Sequence, residues 1–162
     1  MPGSPLTPLA VAVLHVPVPE RALVIGCGDG EAVLLLAREF PAARVRGVDF
    51  SEALVRKVAA RVGLDPEGRV AFKPGRPRAL PYPDEHFDLV VQLGDRSSAA
   101  ETARVLRSGG HLILAGPRSP YPTVGIREAL YRRRLGRLGI EQVPIDSEVG
   151  GNFFVGRLSP AG

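Results

Sequence analysis

The chain alternates short apolar runs with segments whose apolar residues recur every three or four positions. ALVIG (22–26) is continuous and ends on glycine, as a strand buried on both faces would. RVRGVDF (44–50), RVAFK (69–73), FDLVVQL (87–93) and HLILAG (111–116) predict four more strands. IEQVPI (140–145) and NFFVGRL (152–158) predict two final strands joined by a turn at Gly150–Gly151. Between these runs the period changes. Residues 5–15 can form a short helix before Pro17 and Pro19 force an extended entry. Ala32, Leu35, Leu36 and Phe40 mark a helix over Glu31–Phe40 that Pro41 stops. Ser51 can cap a helix with Leu54, Val55, Val58 and Val62 on one face, ending at Gly63. Ser98 and Glu101 have capping-box spacing and open a helix running through Val105 and Leu106 to Gly109–Gly110. Thr123 to Leu138 reads as an arginine-rich helix with Ile126, Leu130 and Leu138 inward.

Five strands alternating with helices imply parallel pairing through right-handed crossovers, closed by an antiparallel pair. The expected fold is therefore a doubly wound α/β sheet with an antiparallel edge. At 162 residues it forms one domain over 1–162, with 1–19 as a short N-terminal extension. A net charge of +4 permits an anionic partner without requiring one. The single cysteine, Cys27, rules out an internal disulfide and fits a reducing compartment. The N-terminal apolar stretch lacks a basic flank and is broken by prolines, so neither a signal peptide nor a membrane span is expected. The expected location is the cytoplasm.

Candidate chemistry concentrates at VIGCGDG (24–30). In a doubly wound sheet the ligand sits beyond the carboxyl ends of the strands, at the switch point beside the first strand. Gly26, Gly28 and Gly30 occupy that place between a strand and a helix, where missing Cβ atoms let a ligand approach the main chain. Asp49 follows at the end of the second strand, where a carboxylate can accept ribose hydroxyls. The spacing departs from the dinucleotide pattern G-x-G-x-x-G, and Glu31 at the helix start would repel a pyrophosphate. An adenosyl ligand without phosphates fits better.

Over residues 20–158, through ALVIGCGDG, VRGVDFSEAL, ALPYPDEHFDLVV and ARVLRSGGHLILAGP, the sequence resembles the class I S-adenosylmethionine-dependent methyltransferases. The resemblance implies a seven-stranded, Rossmann-like sheet of order 3-2-1-4-5-7-6 and S-adenosylmethionine as cofactor. It implies cofactor contacts from Gly26, Cys27, Gly28, Gly30 and Asp49, with Phe50 beside the adenine. Methyl transfer to a small-molecule acceptor is the implied activity. The alternative is a non-catalytic domain of the same fold, used for binding or oligomerisation.

That alternative rests on departures from the family pattern. Val24 stands where the family usually has an acid. Gly75-Arg76-Pro77 replaces a G-D motif whose acid contacts the adenine amino group, and the Arg76 guanidinium cannot accept a hydrogen bond. Arg76 should therefore turn to solvent or pair with an acid, Asp49 above all. The connection from Gln92 to Thr102 is short, and Gln92 and Asp95 are the nearest candidates to meet the methionine end or the acceptor. His15, His86 and His111 read as structural, and no His/Cys set has zinc-ligand spacing. Arg132, Arg133, Arg134 and Arg137 read as a solvated, salt-bridged face; a nucleic-acid role is disfavoured because few aromatics are interleaved to stack bases.

Overall fold

The computed structural model describes residues 6–63, 65–94, 96–115, 122–145 and 153–160. Seven strands form one sheet of order β3-β2-β1-β4-β5-β7-β6. They are β1 (Arg21–Ile25), β2 (Arg44–Asp49), β3 (Val70–Pro74), β4 (Phe87–Leu93), β5 (Leu106–Ala115), β6 (Ile140–Gln142) and β7 (Phe153–Leu158). β1 pairs in parallel with both β2 and β4, β2 with β3, and β4 with β5. β7 runs antiparallel to β5 and to β6, so the doubly wound sheet with an antiparallel edge is as the sequence predicts.

Helices α1 (Thr7–Ala12), α2 (Glu31–Glu39), α3 (Glu52–Val62), α4 (Ala99–Val105) and α5 (Pro122–Arg137) complete the fold, with a 3-10 turn at Val13–His15. Burial of continuous apolar strands needs cover on both faces. One cluster gathers Leu9, Val24, Val33, Leu36, Val91 and Ile113, joining α1 and α2 to the sheet. The other gathers Leu23, Ile25, Val90, Leu112, Leu135 and Phe154, joining α5 to its opposite side. Both expected serine caps form: Ser51 Oγ accepts from Leu54 N at 3.3 Å, and Ser98 Oγ accepts from Glu101 N at 3.2 Å. The reciprocal half of the capping box does not form: Ser98 N donates to Pro77 O, and the Glu101 carboxylate accepts from Leu80 N and Arg104.

Three expectations need correction. The helix opened by Ser98 stops at Val105, and Leu106 already belongs to β5, so Gly109 and Gly110 lie inside a strand rather than ending a helix. Leu54 is 44% exposed, leaving Val55 and Val58 as the buried residues of α3. On α5 the inward residues are Leu135, fully buried, and half-buried Tyr131; Ile126, Leu130 and Leu138 are exposed. The arginine face also differs. Arg132 lies 3.8 Å from Glu128 and 4.8 Å over the Phe154 ring, whereas Arg133, Arg134 and Arg137 have no ion pair among the described residues. The turn at Gly150–Gly151 and Asp95 lie outside the described residues.

Candidate functional site

The site is built where β1, β2 and β4 end. Past β1 the chain turns back on itself: Gly26 N and Cys27 N both donate to Val48 O, at 2.9 and 3.1 Å, and Gly30 N donates to Cys27 O at 2.8 Å. This folds the loop over the tip of β2. Asp49, at that tip and 5% exposed, accepts from Gly28 N through Oδ2 at 3.1 Å and from Ser51 N through Oδ1 at 3.0 Å. The structure thus brings the glycine loop and the acid into direct contact.

The glycines are not equivalent. Gly28 has φ +49°, and a Cβ there would meet nothing closer than Gly26 O at 4.0 Å. Its outer side is open. At Gly30 a Cβ would lie 2.5 Å from Val58 Cγ2, and φ is +84°, so that glycine is demanded by the packing of α3 against the loop. Arg61 reinforces this packing by donating to Asp29 O and to Glu31 Oε1, the latter at 3.0 Å. The open backbone at Gly28 beside a carboxylate with unspent lone pairs fits a ligand carrying vicinal hydroxyls.

Cys27 is 2% exposed and part of the core; burial first, then the nearby Asp49 charge, pushes its thiol up to about 12. It is no nucleophile at neutral pH. Phe50 is half-buried against the apolar cluster on the α5 side. Val24 is fully buried in the opposite cluster. Arg76 is exposed, and its backbone bridges Ala79; no ion pair joins it to Asp49 or to another acid among the described residues. Of the two expected placements for Arg76, the structure shows the one facing solvent.

Gln92 takes a different place from the one the sequence suggests. It lies within β4 and is fully buried. Its Oε1 accepts from Ser97 N at 3.0 Å, and its Nε2 donates to Thr102 Oγ1 at 2.9 Å and Tyr131 Oη at 2.8 Å. Tyr131 Oη in turn donates to Ser97 O at 2.8 Å. The Gln92 amide therefore fastens β4 to α4 and α5, and both of its N–H donors are consumed within the protein. Sequence reading missed Tyr131, whose signal was only a tyrosine among arginines on α5. Among the described residues no group of three or more His, Cys, Asp or Glu side chains could hold a metal, and no helix is long and apolar enough to cross a membrane.

Residues 22–110 match a family described as a methyltransferase domain. The chain is 30% identical over 142 residues, 82% of its length, to a ubiquinone/menaquinone biosynthesis C-methyltransferase of Geobacter sulfurreducens, of which it spans 52%. It is 36% identical over 117 residues, 67% of its length, to the 27-O-demethylrifamycin SV methyltransferase of Amycolatopsis mediterranei, of which it spans 43%. The chain thus covers about half the length of these relatives. Its fold is shared with an S-adenosylmethionine-dependent methyltransferase from Aquifex aeolicus at TM-score 0.73 and 17% identity, covering 94% of this chain and 89% of the other. With the family match spanning more than half of its residues and the 3-2-1-4-5-7-6 sheet in place, the chain belongs to the class I S-adenosylmethionine-dependent methyltransferase family.

Proposed function

We propose that the chain binds S-adenosylmethionine between the Gly26–Gly30 loop and Asp49 and transfers its methyl group to a small-molecule acceptor. The observation that carries this reading is the Asp49 carboxylate, held at the tip of β2 by the amides of Gly28 and Ser51 with acceptor capacity to spare. When bound, S-adenosylmethionine supplies a methyl group made electrophilic by its sulfonium. The chain's own contribution is placement. Gly28 leaves its main chain open to close approach, Asp49 offers oxygens to a ribose, and Phe50 offers an apolar edge beside it. Alignment of acceptor and methyl can supply a large part of the acceleration without a dedicated base. The donor's contacts come from Gly26, Gly28, Asp49 and Phe50, while buried Cys27 and Gly30 hold the shape of the loop, and Arg76 stands at the adenine end. Gln92 serves this site from behind, by fixing α4 and α5. The lone buried Cys27 favours a reducing, cytoplasmic setting.

Fully buried Val24 and solvent-facing Arg76 favour a second reading, a binding module that no longer takes the cofactor. Each absent carboxylate removes a charge-assisted hydrogen bond worth about 1.5–3 kcal/mol, about one to two decades of affinity. Calorimetric titration with S-adenosylmethionine and S-adenosylhomocysteine decides between the two. Saturable one-to-one binding of both, weaker than is usual for the fold, supports the enzyme; no heat with either at millimolar concentration establishes the module.

A further inference from the structure

The carboxyl edge of the sheet carries a second polar feature that the cofactor reading leaves unused. Arg96 lies just past β4, in the stretch whose Ser97 N is tied to Gln92 and whose Ser98 N donates to Pro77 O at 2.7 Å. Ile25 of β1 pairs with Gln92 of β4, so the loop after β4 leaves the sheet beside the glycine loop. In a doubly wound sheet ligands bind beyond the carboxyl ends of the strands, so Arg96 stands on the ligand side of the sheet, one strand over from the proposed cofactor loop.

The Arg96 guanidinium is incompletely satisfied there. Its Nη2 donates to Glu128 Oε1 at 3.3 Å, but Nε and Nη1 are buried with no hydrogen-bond partner among the described residues. Glu128 is itself shared, lying 3.8 Å from Arg132. Among the described residues two guanidinium cations thus share one carboxylate, and Nε and Nη1 of Arg96 keep three N–H donors unspent. Buried cationic donors without acceptors are costly, and native proteins keep them where a ligand or ordered water completes them. Unpartnered guanidinium donors select an oxyanion as that ligand.

We propose that Arg96 recognises an oxyanion on the methyl acceptor, so that the acceptor class is a small molecule bearing a carboxylate or phosphate. This rests on the methyltransferase reading for the word acceptor, but the anion site stands on Arg96 and its surroundings alone. Glu128 orients the guanidinium from α5, and the Gln92–Thr102–Tyr131 bonds keep the supporting elements fixed.

The test uses the full chain at constant ionic strength in chloride. Thermal unfolding is followed with octanoate or phenyl phosphate as probes and octanamide as the neutral control, each with and without S-adenosylhomocysteine. The anions should raise the Tm of the parent in a saturable way, and octanamide should not. Arg96→Met should weaken the anion response at least tenfold, Arg96→Lys should retain part of it, and Arg133→Gln should leave it intact. Without any ligand, Arg96→Met should unfold no earlier than the parent, because it removes unsatisfied donors. An equal response to anions in parent and Arg96→Met overturns the proposal, as does an equal response to octanamide in the parent. So does a marked Tm loss in ligand-free Arg96→Met, which would make Arg96 a strut for Glu128. Anion binding with no response to S-adenosylhomocysteine would sink the cofactor reading and leave the anion site standing; the converse would sink only the anion site.

Discussion

Asp49 and Gln92 sit on β2 and β4, the two strands that flank β1, and both are buried polar side chains near the carboxyl edge of the sheet. Their surroundings use them differently. Asp49 is gripped by two backbone amides, and a carboxylate has room for about two more donors. Gln92 spends both N–H donors on Thr102 and Tyr131 and its carbonyl on Ser97. Topological position alone would mark both as ligand contacts. Remaining hydrogen-bonding capacity separates the one that can still receive a ligand from the one that holds helices in place.

The comparison is broken most directly at Asp49. Asp49→Ala should lower affinity for S-adenosylhomocysteine by about 100-fold or more, the worth of about two charge-assisted hydrogen bonds, as read by calorimetric titration. Unchanged affinity would place the ligand elsewhere. Gln92→Leu should do the opposite: it strands Ser97 N and removes one donor each from the Thr102 and Tyr131 hydroxyls, and should cost about 2 kcal/mol in denaturant unfolding, with nucleoside affinity within about twofold of the parent. Arg76→Asp tests whether spare acceptor capacity can be restored at the adenine end, and should tighten binding of the cofactor by about tenfold. If Arg76 instead stacks on the adenine, the same titration will show weaker binding.

The smallest expected effect lies away from the cleft. The hydrogen bond from Arg104 first, and the Leu80 amide after it, hold the Glu101 carboxyl below the usual carboxylate range. A depressed folded value means this contribution is complete above the ordinary pKa of about 4.3 and is lost as pH falls through the folded one. Glu101→Gln should therefore unfold more easily than the parent at pH 7, by about 1 kcal/mol, with the gap closing as pH drops below about 4.

The sheet was readable because its central strands β1, β4 and β5 contain apolar runs ended by glycine (ALVIG, FDLVVQLG, HLILAG) and because α/β alternation leaves few ways to wind them. The glycine loop and Asp49 were readable because their contact follows from strand order. What escaped is what non-local partners decide. LRSGG has no apolar alternation, and its strand state comes from β5 pairing with β4, where Phe87 meets Leu106 before the register shifts. On α5, the 126-130-138 and 131-135 spacings compete as apolar stripes, and the hydroxyl of Tyr131 settles the choice by bonding Gln92, 39 positions away. The unpaired donors of Arg96 are likewise invisible without the acid on α5.

The double grip of Asp49 on the Gly28 and Ser51 amides has a thermodynamic consequence for recognition. The glycine loop is ordered when the protein folds, not when a ligand arrives, because its amides are already tied to Val48 and Asp49. Ordering a residue costs about 1–2 kcal/mol of conformational entropy, so a loop fixed in advance spares the ligand several such increments. Association should then proceed in one kinetic step, with rates that do not saturate at high ligand concentration. Variants that loosen the loop should slow association as well as weaken binding, since the competent conformer would become a minority that the ligand must wait for.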